Sequence, residues 1–259
     1  MAGFPPHPDR RTTVVTGAST GIGAAVARML AAAGHPVALG ARNLDRCERT
    51  ALAIREAGGE AVALRLDVGD TASVARFRAE VARRLGDVEI LVSNAGTVGT
   101  MRACGASTEE LGDEINVNVL GAHRVIDAFV PGMVERARGD AVFVSSDVVR
   151  APRPGVAGYV AGKWGLEGLV RSLQMELEGA GVRASLVRPG QTATGIADAW
   201  DHERMVGLLG EWQHWGLARH GGVMLPDDVA RAVGAGVSAP RGAHFSLVEV
   251  QPEAPIAER

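Results

Sequence analysis

Aromatic residues are scarce in this chain, at 4% of 259 residues, and there is a single tyrosine, Tyr159. So few rings argue against base stacking as the main task. Excess positive charge is also missing. The net charge of -3 leaves no basic footprint for nucleic acid. Cysteine is reduced to Cys47 and Cys104, far apart and in no CxxC pair, which argues against a disulfide framework and against a zinc site. No apolar run is long enough to span a membrane. The opening stretch, Met1 to Arg11, is rich in proline and charge and lacks the apolar core of a signal peptide. By default these absences set the expectation of a cytoplasmic protein with no metal, membrane or nucleic-acid partner.

What remains is ordinary soluble material, 46% hydrophobic and 22% charged, at a length that α/β folds often use as one domain. Strand and helix signals alternate. Short apolar, β-branched runs at Thr12–Val15, Pro36–Leu39, Ala61–Leu66, Ile90–Ser93, Ala141–Ser145, Arg183–Val187 and His244–Val250 read as strands. Helical spacing marks Ile22–Ala33, Asn43–Ala57, Ser73–Leu85, Glu109–Val134 and Val156–Leu177. That rhythm predicts a parallel sheet with helices on both faces. The expected layout is a flexible tail over 1–11, one domain over 12–250 and a second tail over 251–259.

The first strand runs straight into Thr16-Gly17-Ala18-Ser19-Thr20-Gly21-Ile22-Gly23. Glycines there allow a tight turn and close approach of the backbone to a pyrophosphate, and the next helix offers free N–H groups. The spacing is GxxxGxG rather than GxGxxG. A plain strand-to-helix connection is the alternative. At the end of the second strand, where an acid would hold a ribose 2′-hydroxyl, the sequence has Gly40-Ala41-Arg42-Asn43. A guanidinium there suits a 2′-phosphate, which favours NADP(H) over NAD(H). A solvated arginine at a helix start is the plainer reading.

Lys163 follows Tyr159 by four residues, so the two side chains share a helix face. A phenol with a pKa near ~10 is a poor base at neutral pH, and a neighbouring ammonium should lower that value. The pair then serves as general acid or base. Alone, such a pair is common on amphipathic surfaces. Here it is accompanied by Ser145-Ser146 after the fifth strand, Asn94-Ala95-Gly96 after the fourth, Val117-Asn118-Val119-Leu120-Gly121 interrupting a helix with a buried-looking asparagine, and Pro189-Gly190 after the sixth with Thr194 beyond. Each lies at, or points toward, a strand's carboxyl end, where such sheets bind ligands.

With TGASTGIG, LDV, NAG, VNVLG, SS, YVAGK and RPG in order from about residue 12 to 195, the chain closely resembles the short-chain dehydrogenase/reductase family in its common form of about 250 residues. The resemblance implies a single Rossmann-type, doubly wound parallel sheet. It implies Tyr159 as acid/base, and Lys163 as the group that holds the nicotinamide ribose and depresses the tyrosine pKa. Ser146 would bond the substrate oxygen, and Asn118, rather than Asn116, would hold a relay water. Gly17, Ser19, Thr20, Gly21, Ile22 and Gly23 would line the cofactor phosphates and ribose, with Arg42 at the 2′-phosphate. Asp67 and Val68 would meet the adenine, although Asp67 also fits a strand-end turn. Asn94, Ala95 and Gly96 would lie along the cofactor, although Asn94 fits a backbone clasp between strands equally well. Pro189, Gly190, Thr192 and Thr194 would lie near the carboxamide.

The family's variable substrate loop falls on 195–225, which holds three of the four tryptophans. Met205, Leu208, Leu209, Trp212 and Trp215 have amphipathic helical spacing. They read either as a lid over an apolar substrate or as packing and subunit contact. His202, His214 and His220 read as polar rim residues; Arg150 and Arg153 could meet an acidic substrate group, with solvated loop arginines the plainer reading.

The function expected is an NADP(H)-dependent carbonyl reductase or alcohol dehydrogenase for a sizeable apolar or aromatic small molecule. Alternatives are an inactive dinucleotide-binding sensor or scaffold, a 3-ketoacyl-carrier-protein reductase, and an epimerase or dehydratase. The chain's end, FSLVEVQP, departs from the VDGG found near the end of many acyl-chain reductases. The resemblance also implies a homo-oligomer, a tetramer ahead of a dimer.

Overall fold

The computed structural model describes residues 6–196, 200–218 and 220–256. Parts of both expected tails and of the 195–225 segment lie outside the described residues. Seven parallel strands alternate with helices: β1 (Thr12–Thr16), α1 (Gly21–Ala32), β2 (Val37–Ala41), α2 (Leu44–Glu56), β3 (Ala61–Arg65), α3 (Thr71–Leu85), β4 (Val88–Ser93), α4 (Thr108–Ile115), a π-helical turn (Asn116–Leu120), α5 (Gly121–Glu135), β5 (Gly139–Val144), α6 (Ala157–Glu176), β6 (Val182–Pro189), α7 (His202–His214), α8 (Pro226–Ser238) and β7 (Leu247–Val250). A short 3-10 turn, Asp147–Val149, follows β5.

The sheet order is β3-β2-β1-β4-β5-β6-β7. The chain winds outward from β1 to β3, returns to β4 beside β1, and winds outward again. The crevice between the carboxyl ends of β1 and β4 is therefore the topological switch point. Strands β1, β2, β4 and β5 are almost wholly buried because helices cover both faces. One face buries Val26 and Leu30 of α1, Ala51 and Ile54 of α2, and Val229 and Val233 of α8. The other buries Phe77 of α3, Phe129 of α5, and Leu166 and Val170 of α6. Full burial of each such large side chain stabilises the fold by roughly 1.5–3 kcal/mol, so the two layers, rather than any surface bond, fix the strand order.

Three elements depart from the sequence reading. The expected long helix Glu109–Val134 is two helices joined by the π-turn around Asn118. Helix α8 was not expected, and the last strand is shorter than His244–Val250. The amino ends of the strands carry a structural cluster. There Asp140 accepts from Arg11 at 2.5 Å and from Arg183 at 2.6 Å, and Arg183 also contacts His7 at 2.9 Å. His7 and Arg11, which the sequence reading placed in a flexible tail, are thereby tied to the sheet.

Candidate active site

At the switch point the chain leaves β1 over Gly17, with φ 66°, and enters α1 at Gly21, with φ 55°. Both values lie in the left-handed region that a side chain strains. A Cβ on Gly21 would stand 2.9 Å from the Thr194 carbonyl oxygen. One on Gly23 would collide with the carbonyl oxygen of Gly17. Thr20 caps α1 with no side-chain bond, so the helix opens with unshared N–H groups and its positive dipole end. Asn94 closes the turn from β4. Its Nδ2 donates to the carbonyls of Thr16 and Gly17 at 3.1 and 3.2 Å, and its own N–H meets Thr16 Oγ1 at 3.0 Å. Of the two roles open to Asn94, the interstrand clasp is therefore present.

A cavity of about 730 Å³ runs from this turn to Tyr159. Of the residues expected in the site, all but Gly23 and Asn118 line it. Arg42 lies exposed at its rim beside Ser19 and Asn43, and makes no ion pair among the described residues. Asp67 lines the cavity and also holds a local turn, with its Oδ1 accepting from Gly69 N–H at 2.9 Å. A cradle of glycines, an open helix N-terminus and a free guanidinium suit the phosphates of a phosphorylated dinucleotide.

At the other end, Ser146 follows β5, and Tyr159 and Lys163 sit one turn apart on α6. Ser146 stands near enough to the Tyr159 phenol to favour its ionised form. Lys163 is buried, donates to the Val144 carbonyl at 2.8 Å, and stands 5.6 Å from the Tyr159 ring centre. Burial pushes the phenol up to about 12, against the opposing influence of Ser146. The same burial brings Lys163 down to about 8, against the pull of Glu167. The sequence argument expected a depressed phenol. It weighed the ammonium and not the desolvation, and desolvation wins here. A phenol held neutral is a proton donor.

Asn118 sits in the π-turn. Both ends of its side chain are committed to the backbone of Thr97, accepting from its N–H at 3.1 Å and donating to its carbonyl at 2.9 Å. It thereby fixes the strip 94–97 beside Lys163. Asn116 turns away to Arg124.

Sequence reasoning missed three acidic neighbours, Glu167, Glu114 and Asp147, and a fourth group, Arg153, is placed differently from its plainer reading. Glu167, one turn beyond Lys163, is gripped by Ser145 Oγ at 2.7 Å and by Arg188 at 2.7 and 3.0 Å. Burial works to raise its pKa, and the bonds from Arg188 and Ser145 outweigh burial and hold it low. Its i+4 position after Lys163 was a readable signal. Glu114 is buried and raised by desolvation, and its Oε1 accepts from Gly99 N–H. Asp147 and Arg153 form an ion pair in the cavity wall. Arg153 is therefore not the solvated loop arginine expected, because it is held against Asp147 and Trp212. Arg150 pairs with Glu249 at 3.2 Å.

Met205, Leu209 and Trp212 of α7 line the cavity, while Trp215 stays exposed. Trp200 donates to the Val98 carbonyl at 3.1 Å and Trp212 to the Pro154 carbonyl at 2.9 Å, which ties this wall to the body. No metal-binding group of side chains and no membrane-length apolar helix occurs among the described residues.

The family profile of the short chain dehydrogenases matches residues 11–205. The chain belongs to the short chain dehydrogenase family, a family of oxidoreductases. Within that family it is 32% identical over 194 residues to the 3-oxoacyl-[acyl-carrier-protein] reductase of Staphylococcus aureus, covering 74% of this chain and 79% of that one. It is 33% identical over 242 residues, 93% of its length, to glycine betaine reductase of Emericella nidulans, yet it spans only 19% of that larger protein. Among solved structures, an alcohol dehydrogenase of the archaeon Thermococcus sibiricus complexed with 5-hydroxy-NADP superposes with a TM-score of 0.81 at 33% identity. That match covers 96% of this chain and 100% of the other. As in its relatives, this short chain dehydrogenase is built on a parallel sheet flanked by helices on both faces.

Proposed function

We propose that this protein is an NADP(H)-dependent carbonyl reductase or alcohol dehydrogenase acting on an apolar or aromatic small molecule. The observation that carries the reading is one continuous cavity with the glycine turn and Arg42 at one end and Ser146, Tyr159 and Lys163 at the other. The likeness to an alcohol dehydrogenase complexed with an NADP derivative supports the cofactor, and the α7 wall of Met205, Leu209 and Trp212 supports the substrate class.

Gly17, Ser19, Thr20, Gly21 and Ile22 would hold the cofactor's phosphates, Arg42 its 2′-phosphate, and Lys163 its nicotinamide ribose. When bound, the nicotinamide supplies or accepts the hydride. The chain's own residues handle the oxygen and its proton. Ser146 donates a hydrogen bond to the carbonyl oxygen and stabilises the negative charge that develops there. Tyr159, neutral at working pH, delivers the proton to that oxygen. Lys163 keeps positive charge beside the phenol as it ionises. Apolar side chains of α7 exclude water. Exposed Trp164 and Met175 on α6 and Val134 on α5 support the expected homo-oligomer.

The direct test is loss of NADPH absorbance with a panel of aryl and alkyl ketones. Tight NADPH binding without turnover across a broad panel would favour the sensor instead. Arg42→Ala should weaken NADPH about 10- to 100-fold and leave NADH nearly unchanged, since only the 2′-phosphate loses a charge-assisted bond. Equal losses for both cofactors would remove Arg42 from that role.

The pH dependence follows from Lys163. Its folded pKa of about 8 lies below the ordinary lysine value, so the charged form dominates below about 8. Reductive turnover should therefore fall as pH rises through about 8. In Glu167→Gln the fall should start at lower pH, because Glu167 is the charge that raises Lys163. Stability runs the other way. Between about 8 and the unfolded lysine value the unfolded chain binds more protons, so the Lys163 contribution to stability rises with pH. A reductive profile whose alkaline limb ignores Glu167→Gln would overturn this assignment.

A further inference from the structure

We propose that Asp147 and Arg153 form a substrate subsite for a neutral hydroxyl carried on the carbon next to the reacting carbonyl. The inference rests on the reading above, which places the carbonyl oxygen at Ser146 and Tyr159.

Asp147 directly follows Ser146, and its Oδ1 lies 3.4 Å from Ser146 Oγ. Arg153 reaches the same carboxylate with both terminal nitrogens, at 2.8 Å to Oδ1 and 2.6 Å to Oδ2. Each side chain is only 13% exposed. Trp212 lies over the guanidinium, 5.7 Å from ring centre to Cζ. Both charges act on the Tyr159 phenol, in opposite directions, so the pair stands close to the reacting atoms. The remaining wall on the substrate side, Val98, Val156, Met205 and Leu209, is apolar. An ion pair drawn out of water in such a wall is costly unless its remaining hydrogen-bonding capacity is used.

That capacity defines the guest. A carboxylate offers about four lone-pair sites; Arg153 takes two of those on Asp147, and Ser146 takes a third that it gives up when it donates to the carbonyl oxygen. A guanidinium has about five N–H groups, and Asp147 engages two. The pair is neutral overall, so an anion meets the repulsion of Asp147 and a cation that of Arg153. A hydroxyl, which donates to one and accepts from the other, satisfies both. Because Asp147 is so near Ser146, the hydroxyl it meets stands within a bond or two of the carbonyl carbon. The matching substrates are α-hydroxy ketones and, in the reverse direction, vicinal diols.

The same pair also lines a smaller cavity of about 70 Å³, with Gln191, His220 and Gln251 on its other sides. At about 30 Å³ per water it has room for about two waters or one small polar substituent. His220 Nδ1 accepts from the Gly222 N–H at 3.1 Å, so its ring proton sits on Nε2 as a further donor.

The test is binding, read as quenching of tryptophan fluorescence in the NADP⁺-loaded protein. The probes are styrene glycol, α-methylbenzyl alcohol, which lacks the second hydroxyl, and mandelate, which replaces the hydroxymethyl with a carboxylate. Styrene glycol should bind about tenfold tighter, or more, than α-methylbenzyl alcohol. In the neutral double variant Asp147→Asn/Arg153→Met the ratio should fall toward one. A purely structural role would weaken both alcohols by the same factor and leave the ratio intact, which would overturn the proposal. Equal affinities in the unmodified protein, tighter binding of mandelate, or no binding of styrene glycol would also overturn it, with no variant needed. NADPH oxidation with α-hydroxyacetophenone and acetophenone separates the two readings. Turnover without preference for the hydroxy ketone sinks the subsite alone. Preferential diol binding without any turnover sinks the oxidoreductase reading alone.

Discussion

Replacing Tyr159 by phenylalanine should cut reductive turnover by about 10²- to 10⁴-fold, the usual weight of a positioned general acid. The variant removes one oxygen and keeps the ring, so packing in α6 is preserved. NADPH affinity should survive, because Lys163 and the glycine turn are untouched. The loss should appear in kcat, since the phenol serves the step in which the proton moves. Steady-state kinetics beside an NADPH fluorescence titration decide the matter. Turnover like that of the unmodified protein would remove Tyr159 from the chemistry, and with it the reading of the whole cluster. At about 12 the phenol stays protonated at neutral pH, so the proton that reduction needs is in place before hydride transfer.

Gly23→Ala should lower stability and NADPH affinity together. Its Cβ would collide with the Gly17 carbonyl and stand 2.6 Å from Asn94 Nδ2. Neither neighbour is the free end of a flexible side chain. One is backbone, and the other is the clasp between β1 and β4. Overpacking of this kind costs about 1–3 kcal/mol, or several degrees of Tm at this size. Relief can come only by moving Gly17 or Asn94, which distorts the phosphate cradle, so NADPH affinity should fall with stability. The control is Gly168→Ala on α6, where a Cβ would meet nothing within 4 Å. There alanine should be neutral or stabilise by up to about 1 kcal/mol, through helix propensity. Calorimetry and NADPH titration on both variants provide the check. Normal NADPH affinity in Gly23→Ala would show that the turn tolerates displacement.

The elements that shape the cofactor end were legible because each has a short local cause. β-branched runs make the strands, and the glycines from Gly17 to Gly23 permit one tight turn. Tyr159 and Lys163 meet because a helix brings residues four apart together. What was illegible depends on distance. Desolvation of Tyr159 comes from elements far away in sequence, so the direction of its pKa shift could not be read from Lys163 alone. Arg153 looked solvated because nothing local announces that Trp212 will cover it. Helix α8 was hidden by Gly234 and Gly236, which dilute its pattern, although Pro226 at its start and the acids Asp227 and Asp228 are helix-opening signals. The interruption at Asn118 is legible from its asparagine in an apolar stretch, but its π-helical form is not, because a π-turn keeps helical spacing and adds a single residue to it.

The order of the strands has one further consequence. The cavity draws its lining from the carboxyl ends of β1 through β6, by Gly17, Arg42, Asp67, Asn94, Ser146 and Pro189. The complete lining is thus assembled from residues spread over most of the chain. Occupancy therefore acts on the entire folding equilibrium and not on a local loop. A ligand confined to the folded state adds RT ln(1 + [L]/Kd), about 2.7 kcal/mol at a hundred times Kd. That is a sizeable share of the few kcal/mol by which a domain exceeds its unfolded ensemble. Saturating dinucleotide should therefore slow proteolysis of the whole chain as well as support turnover.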